Sequence, residues 1–430
     1  MTGAGRVARH ALGRALAPGL AGIQGWLAAS VGYLLALLAA GARSGGGAGA
    51  RSGGGRGAGS GGGPGARSGG GPGARQPDPP PRLAVLIPAH NEERGVADAV
   101  HALIAQAYPA DRLAVIVIAD NCTDDTAGVA ARAGATVWPR EDPVARGKGP
   151  ALSWALERLR RELPATEAVL IVDADCIASP NLCAVVAERL ADPRVQAVQA
   201  RYDVSNPDAS PTAALRAAGF ILRHVIRARG RARLGLSAGL FGSAMAFRMD
   251  LFDEVQWPSS ITEDTELHLL LVQRGIRVDF AEGAGVHSPM PTTADAAVEQ
   301  QIRWESGNAQ LTGAYLMRLV ARGLVTGDVQ LLVAGGELLV PSQSMLAAGS
   351  LGVGVVSVAL GRRGTAALAA ATAVGQAVYV FGGLTAAGAP PASLRALAHA
   401  PEFVAARLRV LARVASGRRA ETWVRTTRER

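Results

Sequence analysis

The chain has 430 residues, 49% of them hydrophobic, 4% aromatic and 18% charged, with a formal net charge of +9. That length holds two or three domains, and the apolar share points to globular material mixed with membrane-grade segments. The positive charge does not make the chain a nucleic-acid binder: much of it lies in a Gly-rich stretch and a C-terminal tail, and no zinc-finger spacing or aromatic RNA-binding signature accompanies it.

The chain opens with a basic segment over 1–24 (Arg6, Arg9, Arg14), followed by an apolar run over 25–42 that is long enough to cross a bilayer. We read that run as a transmembrane anchor; a cleaved signal peptide is the alternative, since small residues near Ala39 to Ala42 would suit cleavage. Residues 43–81 collapse into Gly, Ser, Ala, Arg and Pro, with Ala-Arg-Ser-Gly-Gly-Gly recurring at Ala42, Ala50 and Ala66. Such a tract buries too little apolar surface to offset chain entropy, so a disordered tether is expected.

From Arg82 onward, short apolar runs alternate with amphipathic helical patterns, as in Leu83 to Ile87, Leu113 to Ile118, Thr136 to Trp138, Ala168 to Val172 and Val195 to Ala200. This alternation predicts an α/β domain over 82–307 with a mostly parallel sheet covered on both faces by helices. Polar residues follow the strand runs: Pro88-Ala89-His90-Asn91-Glu92, then Asp120 to Asp125, then Asp173-Ala174-Asp175. Ligands of open parallel sheets bind beyond the carboxyl ends of the strands, and two carboxylates spaced i and i+2 share one face there. They suit Mg²⁺ or Mn²⁺ holding a diphosphate; the plainer reading is that they solvate a strand end or cap the next helix. Lys148, between Gly147 and Gly149, is placed either to meet a phosphate or to sit solvated in a loop. Cys122, Cys176 and Cys183 lack paired metal spacing, so free thiols in a cytoplasmic domain are expected.

Thr262 is positioned to cap the helical run that follows, with Glu263 and Asp264 in its first turn. Capping does not account for Gln300, Arg303 and Trp304, where a planar cation and a large aromatic fall on neighbouring helical positions suited to a pyrophosphate and a sugar ring.

The ordered set Pro88-Ala89-His90-Asn91-Glu92, Asp120 with Asp124, Gly147-Lys148, Asp173-Ala174-Asp175, Thr262-Glu263-Asp264 and Gln300-Gln301-Ile302-Arg303-Trp304 resembles the membrane-bound family 2 glycosyltransferases, the group of cellulose, chitin and hyaluronan synthases. The resemblance implies a GT-A fold, a nucleotide-diphospho-sugar donor, a divalent cation (Mg or Mn) and inversion at the anomeric carbon. It further implies that Pro88, His90, Glu92 and Asp120 serve the nucleotide, Asp120 at the uracil or ribose, and Lys148 the diphosphate. Asp175 would bind the metal with Asp173 beside it, and Asp264 would be the catalytic base next to Glu263. Gln300, Arg303 and Trp304 would line the donor phosphates and the acceptor end. Gln301 stands where an arginine is common, and about three spans are few for a synthase that secretes its own polymer.

Beyond 307, residues 308–327 read as an amphipathic interface helix with Leu311, Tyr315, Leu316 and Leu319 on one face, the alternative being a helix packed on the domain. Residues 328–388 hold about two transmembrane helices around Arg362-Arg363, and 389–430 form a basic tail. The positive-inside rule places that tail in the cytoplasm with the catalytic domain, at the plasma membrane. Its ending, Trp423 to Arg428, resembles a Trp-x-x-Thr-x-Arg tail of bacterial family members. The expected activity is sugar transfer from a nucleotide-sugar donor, chiefly a UDP-sugar, to a membrane-associated or cell-envelope glycan or lipid. A processive polysaccharide synthase is the runner-up. A decayed membrane scaffold and a nucleotidyltransferase are the other classes weighed; all three of Asp173, Asp175 and Asp264 are present, and a nucleotidyltransferase has no use for the Gln300 to Trp304 motif.

Overall fold

The computed structural model describes residues 3–42, 79–290, 294–402 and 404–405. Nearly all of the Gly-rich stretch, and the tail motif at Trp423, lie outside them. Eight strands form one sheet: β1 (Leu83–Ala89), β2 (Leu113–Asp120), β3 (Thr136–Arg140), β4 (Ala168–Ile171), β5 (Ile177–Ala178), β6 (Ala197–Val204), β7 (Met245–Arg248) and β8 (Val278–Ser288). Their order is β3-β2-β1-β4-β7-β6-β8-β5.

The half built from β1 to β4 is parallel, as the βαβ pattern requires. The other half makes the sheet mixed: β7 runs antiparallel to β4 and to β6, β5 antiparallel to β8, and β6 parallel to β8. These strands escape a reading by pattern. Met245 to Arg248 is four residues without β-branching, and the eleven residues of β8 are interrupted by Gly283 and Gly285.

Strand alternation builds two cores. Leu83, Val85 and Ile87 pack with Val96, Val100, Leu182 and Val186 on one face, and Ala84 and Leu86 with Leu152, Leu156, Leu267 and Leu271 on the other. Being covered on both sides, β1 needs no polar alternation and reads as a continuous apolar run. Each such fully buried side chain contributes roughly 1.5–3 kcal/mol.

A second, helical unit joins the two ends of the chain. The N-terminal helix Gly3–Ala42 is continuous, so the expected border between a basic segment and an anchor at 24/25 is not a structural break. Its Leu27, Val31 and Leu34 pack against Leu222, Ile226, Leu346, Tyr379 and Leu384 from distant parts of the chain. Buried Gln24 donates to Thr372 Oγ1 at 2.8 Å, an interhelical polar bond of the type found between spans. Gly230 permits the closest approach: a Cβ there would lie 2.4 Å from the Leu37 carbonyl oxygen. Two helices, Arg14–Ala42 and Arg363–Ala386, are long and apolar enough to cross a membrane; Val329–Leu339 and Gln343–Ala359, bent by 69°, would make a third.

The helix expected at 308–327 is the end of a longer one, Ala294–Thr326, which also carries Gln300, Arg303 and Trp304. Its Leu311 and Leu319 pack on Leu269, Val272, Leu331 and Leu338, and Tyr315 donates to Glu266 at 2.7 Å, so the apolar face meets protein and the alternative reading is the one observed. Met317, Leu324 and Val325 stay exposed on its other side.

Candidate active site

The carboxyl ends of β1, β2 and β4 meet where strand order reverses, and every candidate residue lines one cavity of about 1000 Å³ there. Pro88, His90 and Glu92 form the wall after β1. His90 Nδ1 lies 2.8 Å from the Asp120 carbonyl oxygen, and Thr126 Oγ1 accepts from the Glu92 amide at 2.7 Å, which stitches the first two strand ends together. Asn91 holds the turn at φ 56°, and its side-chain oxygen accepts from Thr123 N at 2.7 Å.

Asp120 is buried and paired with Arg140 at 2.5 Å, both side chains under a tenth exposed. Arg140 also bonds Asp142 and the Ala145 carbonyl, so it fixes the loop leading to Lys148. Sequence reasoning missed Arg140 because β3 was expected to end at Trp138. It runs two residues further, and Arg140 is then the residue at a strand's carboxyl end.

Lys148 opens the helix Lys148–Glu162 and reaches back across the site. Its Nζ donates to Asp173 Oδ1 and to the Gly242 carbonyl, both at 2.5 Å, with Glu263 Oε1 at 3.8 Å. Gly242 presents that carbonyl from φ 88°, a backbone that favours glycine. Burial lowers the pKa of the ammonium, but Asp173 and then Glu263 outweigh it and hold the pKa above the ordinary lysine value. The lysine expected on a diphosphate is thus paired with a carboxylate of the candidate metal site.

Asp173, Asp175 and Cys176 bring ligand atoms within 4.8 Å of one another. Ser288 donates to Asp175 Oδ2 at 3.3 Å and Ser243 Oγ accepts from the Asp173 amide at 3.0 Å. Burial pushes the Cys176 thiol up to about 12, so it stays protonated and is a poor ligand. Two carboxylates on a strand end, open to a diphosphate, fit the oxygen-only, few-ligand manner in which Mg²⁺ and Mn²⁺ are held.

Glu263 and Asp264 start the helix Glu263–Gln273 on the opposite wall. Thr262 occupies the cap position but makes no capping bond; its side chain is turned against Gly307, and its hydroxyl is buried without a partner among the described residues. Asp264 Oδ1 instead accepts from the Thr265 amide at 2.7 Å. Burial raises both acids. Glu263 goes to about 8, with Lys148 pulling down and Asp264 pushing up. For Asp264, the Thr265 amide and Lys148 offset part of the burial.

On the long helix, buried Gln300 accepts from Arg216, whose guanidinium lies 5.5 Å from the Trp304 ring centre; Trp304 also meets Phe220 at 6.1 Å. Burial lowers the Arg303 pKa, while Glu263 and Asp173 act to sustain its charge. Arg216 was not anticipated, since nothing in Pro211 to Phe220 marks it apart from a helical surface arginine.

A family profile described as "Glycosyltransferase like family 2" matches residues 80–307. An N-acetylglucosaminyltransferase of Rhizobium meliloti (strain 1021) is 28% identical over 57% of this chain and 59% of its own length. A beta-monoglucosyldiacylglycerol synthase of Synechocystis sp. (strain ATCC 27184 / PCC 6803 / Kazusa) is 27% identical over 54% of this chain and 49% of its own. The chain therefore spans about half the length of the curated relatives it matches. Among solved structures, a mannosyltransferase from Pyrobaculum calidifontis in complex with GDP-Man and Mn²⁺ aligns with TM-score 0.46 and 21% identity, over 71% of this chain and 86% of that one.

Proposed function

Since the chain belongs to glycosyltransferase family 2, we propose that it is an inverting, metal-dependent transferase. It moves a sugar from a nucleoside-diphosphate donor, chiefly a UDP-sugar, to a hydroxyl of a membrane-associated or cell-envelope glycan or lipid. The observation that carries this reading is the single cavity that joins the Asp173-Asp175 strand end, Lys148, the Glu263-Asp264 pair and the Arg303-Trp304 helix. Asp120, held by Arg140, faces the nucleoside. A divalent cation on Asp175 and Asp173 would neutralise charge on the departing diphosphate. Lys148 and Arg303 add fixed positive charge on the same side, which stabilises a leaving group that becomes more anionic as the bond breaks.

Asp264 takes the proton of the acceptor hydroxyl as the new bond forms. Its raised affinity for a proton is what a base working near neutrality needs. Glu263, buried between Lys148 and Asp264, keeps the lysine oriented and tunes its neighbour. We place the protein in the plasma membrane as a multi-pass protein with its catalytic domain in the cytoplasm.

A donor screen tests this. Full-length protein in detergent is incubated with UDP- and GDP-sugars and Mg²⁺ or Mn²⁺, and release of the nucleoside diphosphate is measured. Turnover of one donor that EDTA abolishes is expected; no turnover with any donor overturns the proposal.

A further inference from the structure

At about 1000 Å³ the cavity reaches the top of the range for small-molecule sites, and it does not end at Trp304. It runs on past the helical segment Ile221–Arg227, which is π-helical, to a wall of Leu339, Val340, Leu351, Ala377, Val380 and Phe381. Several polar groups along this reach have partners in the protein. Gln376 Nε2 donates to the Gln343 carbonyl at 2.6 Å, and Tyr379 Oη donates to the Leu222 carbonyl at 2.9 Å. Glu337 accepts from Tyr33 and from Arg227, both at 2.6 Å. A hydroxyl-rich glycan lying here would bury several hydroxyls against aliphatic carbon, and each one left unbonded would weaken binding. A hydrocarbon chain suffers no such loss.

Arg223 stands where the two chemistries meet. It projects from the π-helical segment, is exposed to the cavity, and makes no ion pair or hydrogen bond among the described residues. Burial and the neighbouring Arg227 pull its pKa below the ordinary arginine value, while Glu337 and Asp264 act to sustain its charge. A cationic donor at the boundary between a charged chamber and an apolar one suits the oxygens of an amphiphile's head.

We propose that the acceptor is a lipid, with its hydroxyl-bearing head between Asp264 and Arg223 and its aliphatic tail in the reach lined by Leu339, Leu351 and Val380. This deepens the transferase reading and rests on it. In the step, the head-group oxygen forms a bond to the sugar's anomeric carbon and its proton passes to the Asp264 carboxylate. The bond from that carbon to the diphosphate breaks, and the nucleoside diphosphate leaves with the electron pair. Arg223 acts as a positioning residue for the head.

Membranes of the source organism overexpressing the full chain, which contain the native acceptor, are incubated with tritiated UDP-glucose, UDP-N-acetylglucosamine or GDP-mannose. Label is then divided between chloroform-extractable and water-soluble products. Incorporation into the chloroform phase is expected. Ala377→Phe, which fills the apolar reach, should lower that incorporation by about tenfold while the purified variant still binds the nucleoside diphosphate in calorimetry. Arg223→Ala should raise the apparent KM for a lipid acceptor more than that for the donor, with Arg223→Lys restoring part of the loss. Donor consumption with label only in water-soluble oligosaccharide or polymer overturns the lipid assignment and leaves the transferase reading standing. An Arg223→Ala defect confined to donor KM moves that residue to the diphosphate and removes it from the head-group site. Absence of donor consumption in the parent removes both readings.

Discussion

The two halves of the sheet contribute to the cavity in different ways. In the parallel half, Pro88 to Glu92, Asp120 and Asp173 to Asp175 each follow directly on a strand, so the backbone of β1, β2 and β4 aims them. In the mixed half, the contributing groups come from loops and helices inserted between the strands: Gly242 before β7, Arg216 and Arg223 before it, and Asp264 between β7 and β8. On the proposed reading the first half holds what every donor shares, a nucleotide and a diphosphate. The second is where acceptor chemistry can vary without disturbing the strand register. Donor binding and transfer should therefore separate along this line.

The largest effect falls on the parallel half. Asp175→Asn keeps the size of the side chain and removes its charge, and a bound metal is worth several kcal/mol of charge stabilisation in the transition state. Donor affinity and turnover should fall together by orders of magnitude, and EDTA should do the same to the parent. Calorimetry of donor binding with and without Mn²⁺ checks both; unaltered donor affinity in Asp175→Asn would dissolve the division between the halves.

Asp264→Asn tests the other side of that line. A general base contributes about 10² to 10⁴-fold to the chemical step, while donor affinity comes from the strand ends. The variant should bind the nucleotide sugar nearly as the parent does and transfer almost none of it. Joint loss of binding and turnover would place Asp264 with the metal or nucleotide. Full turnover with a stability loss of about 1 kcal/mol would reduce it to a helix-end residue.

Next comes the pair that anchors the nucleoside wall. Asp120 and Arg140 are buried together, and removing one partner of a buried pair typically costs about 3–5 kcal/mol because a charge is left behind. Asp120→Ala should lower the midpoint of thermal unfolding by several degrees, whereas Arg132→Ala, which breaks an exposed pair with Asp125, should barely move it. Scanning calorimetry of both variants gives the contrast.

Legibility follows the same division. The strand-end residues could be read because a buried parallel strand is a continuous apolar run, and topology gathers the residues after it at one edge of the sheet. The reading failed where a strand's end was set by pairing: β3 extends to Arg140 because Asp120 is its register partner. It failed again at Thr262, whose expected cap bond yields to packing against Gly307 from a helix some forty-five residues on. The amphipathic pattern of Leu311, Tyr315 and Leu319 was visible, but a pattern does not say whether lipid or the Leu331 helix will cover it. Arg223 could not have been found at all, since its exposure depends on how the N-terminal and C-terminal helices close around the π-helical segment.

The smallest effect is a pH dependence seated at the junction of the halves. Glu263 is buried against Lys148 from the parallel half and Asp264 from its own helix, and its folded pKa is raised from 4.5 to about 8. A carboxyl raised in this way holds its proton more tightly in the fold than in the unfolded chain, so it favours the folded state at low pH and that contribution declines wherever the unfolded chain has ionised and the fold has not. Its contribution is therefore fully present below the unfolded value of 4.5 and is lost as pH climbs through about 8. Glu263→Gln carries no such proton, so its unfolding midpoint should change less than the parent's between these limits, and the gap between the two proteins should close or reverse in the variant's favour at the alkaline end. Thermal unfolding of both proteins at half-unit pH steps measures this. Parallel curves would show that Lys148 keeps Glu263 ionised throughout, and would make that acid an ordinary partner of the lysine.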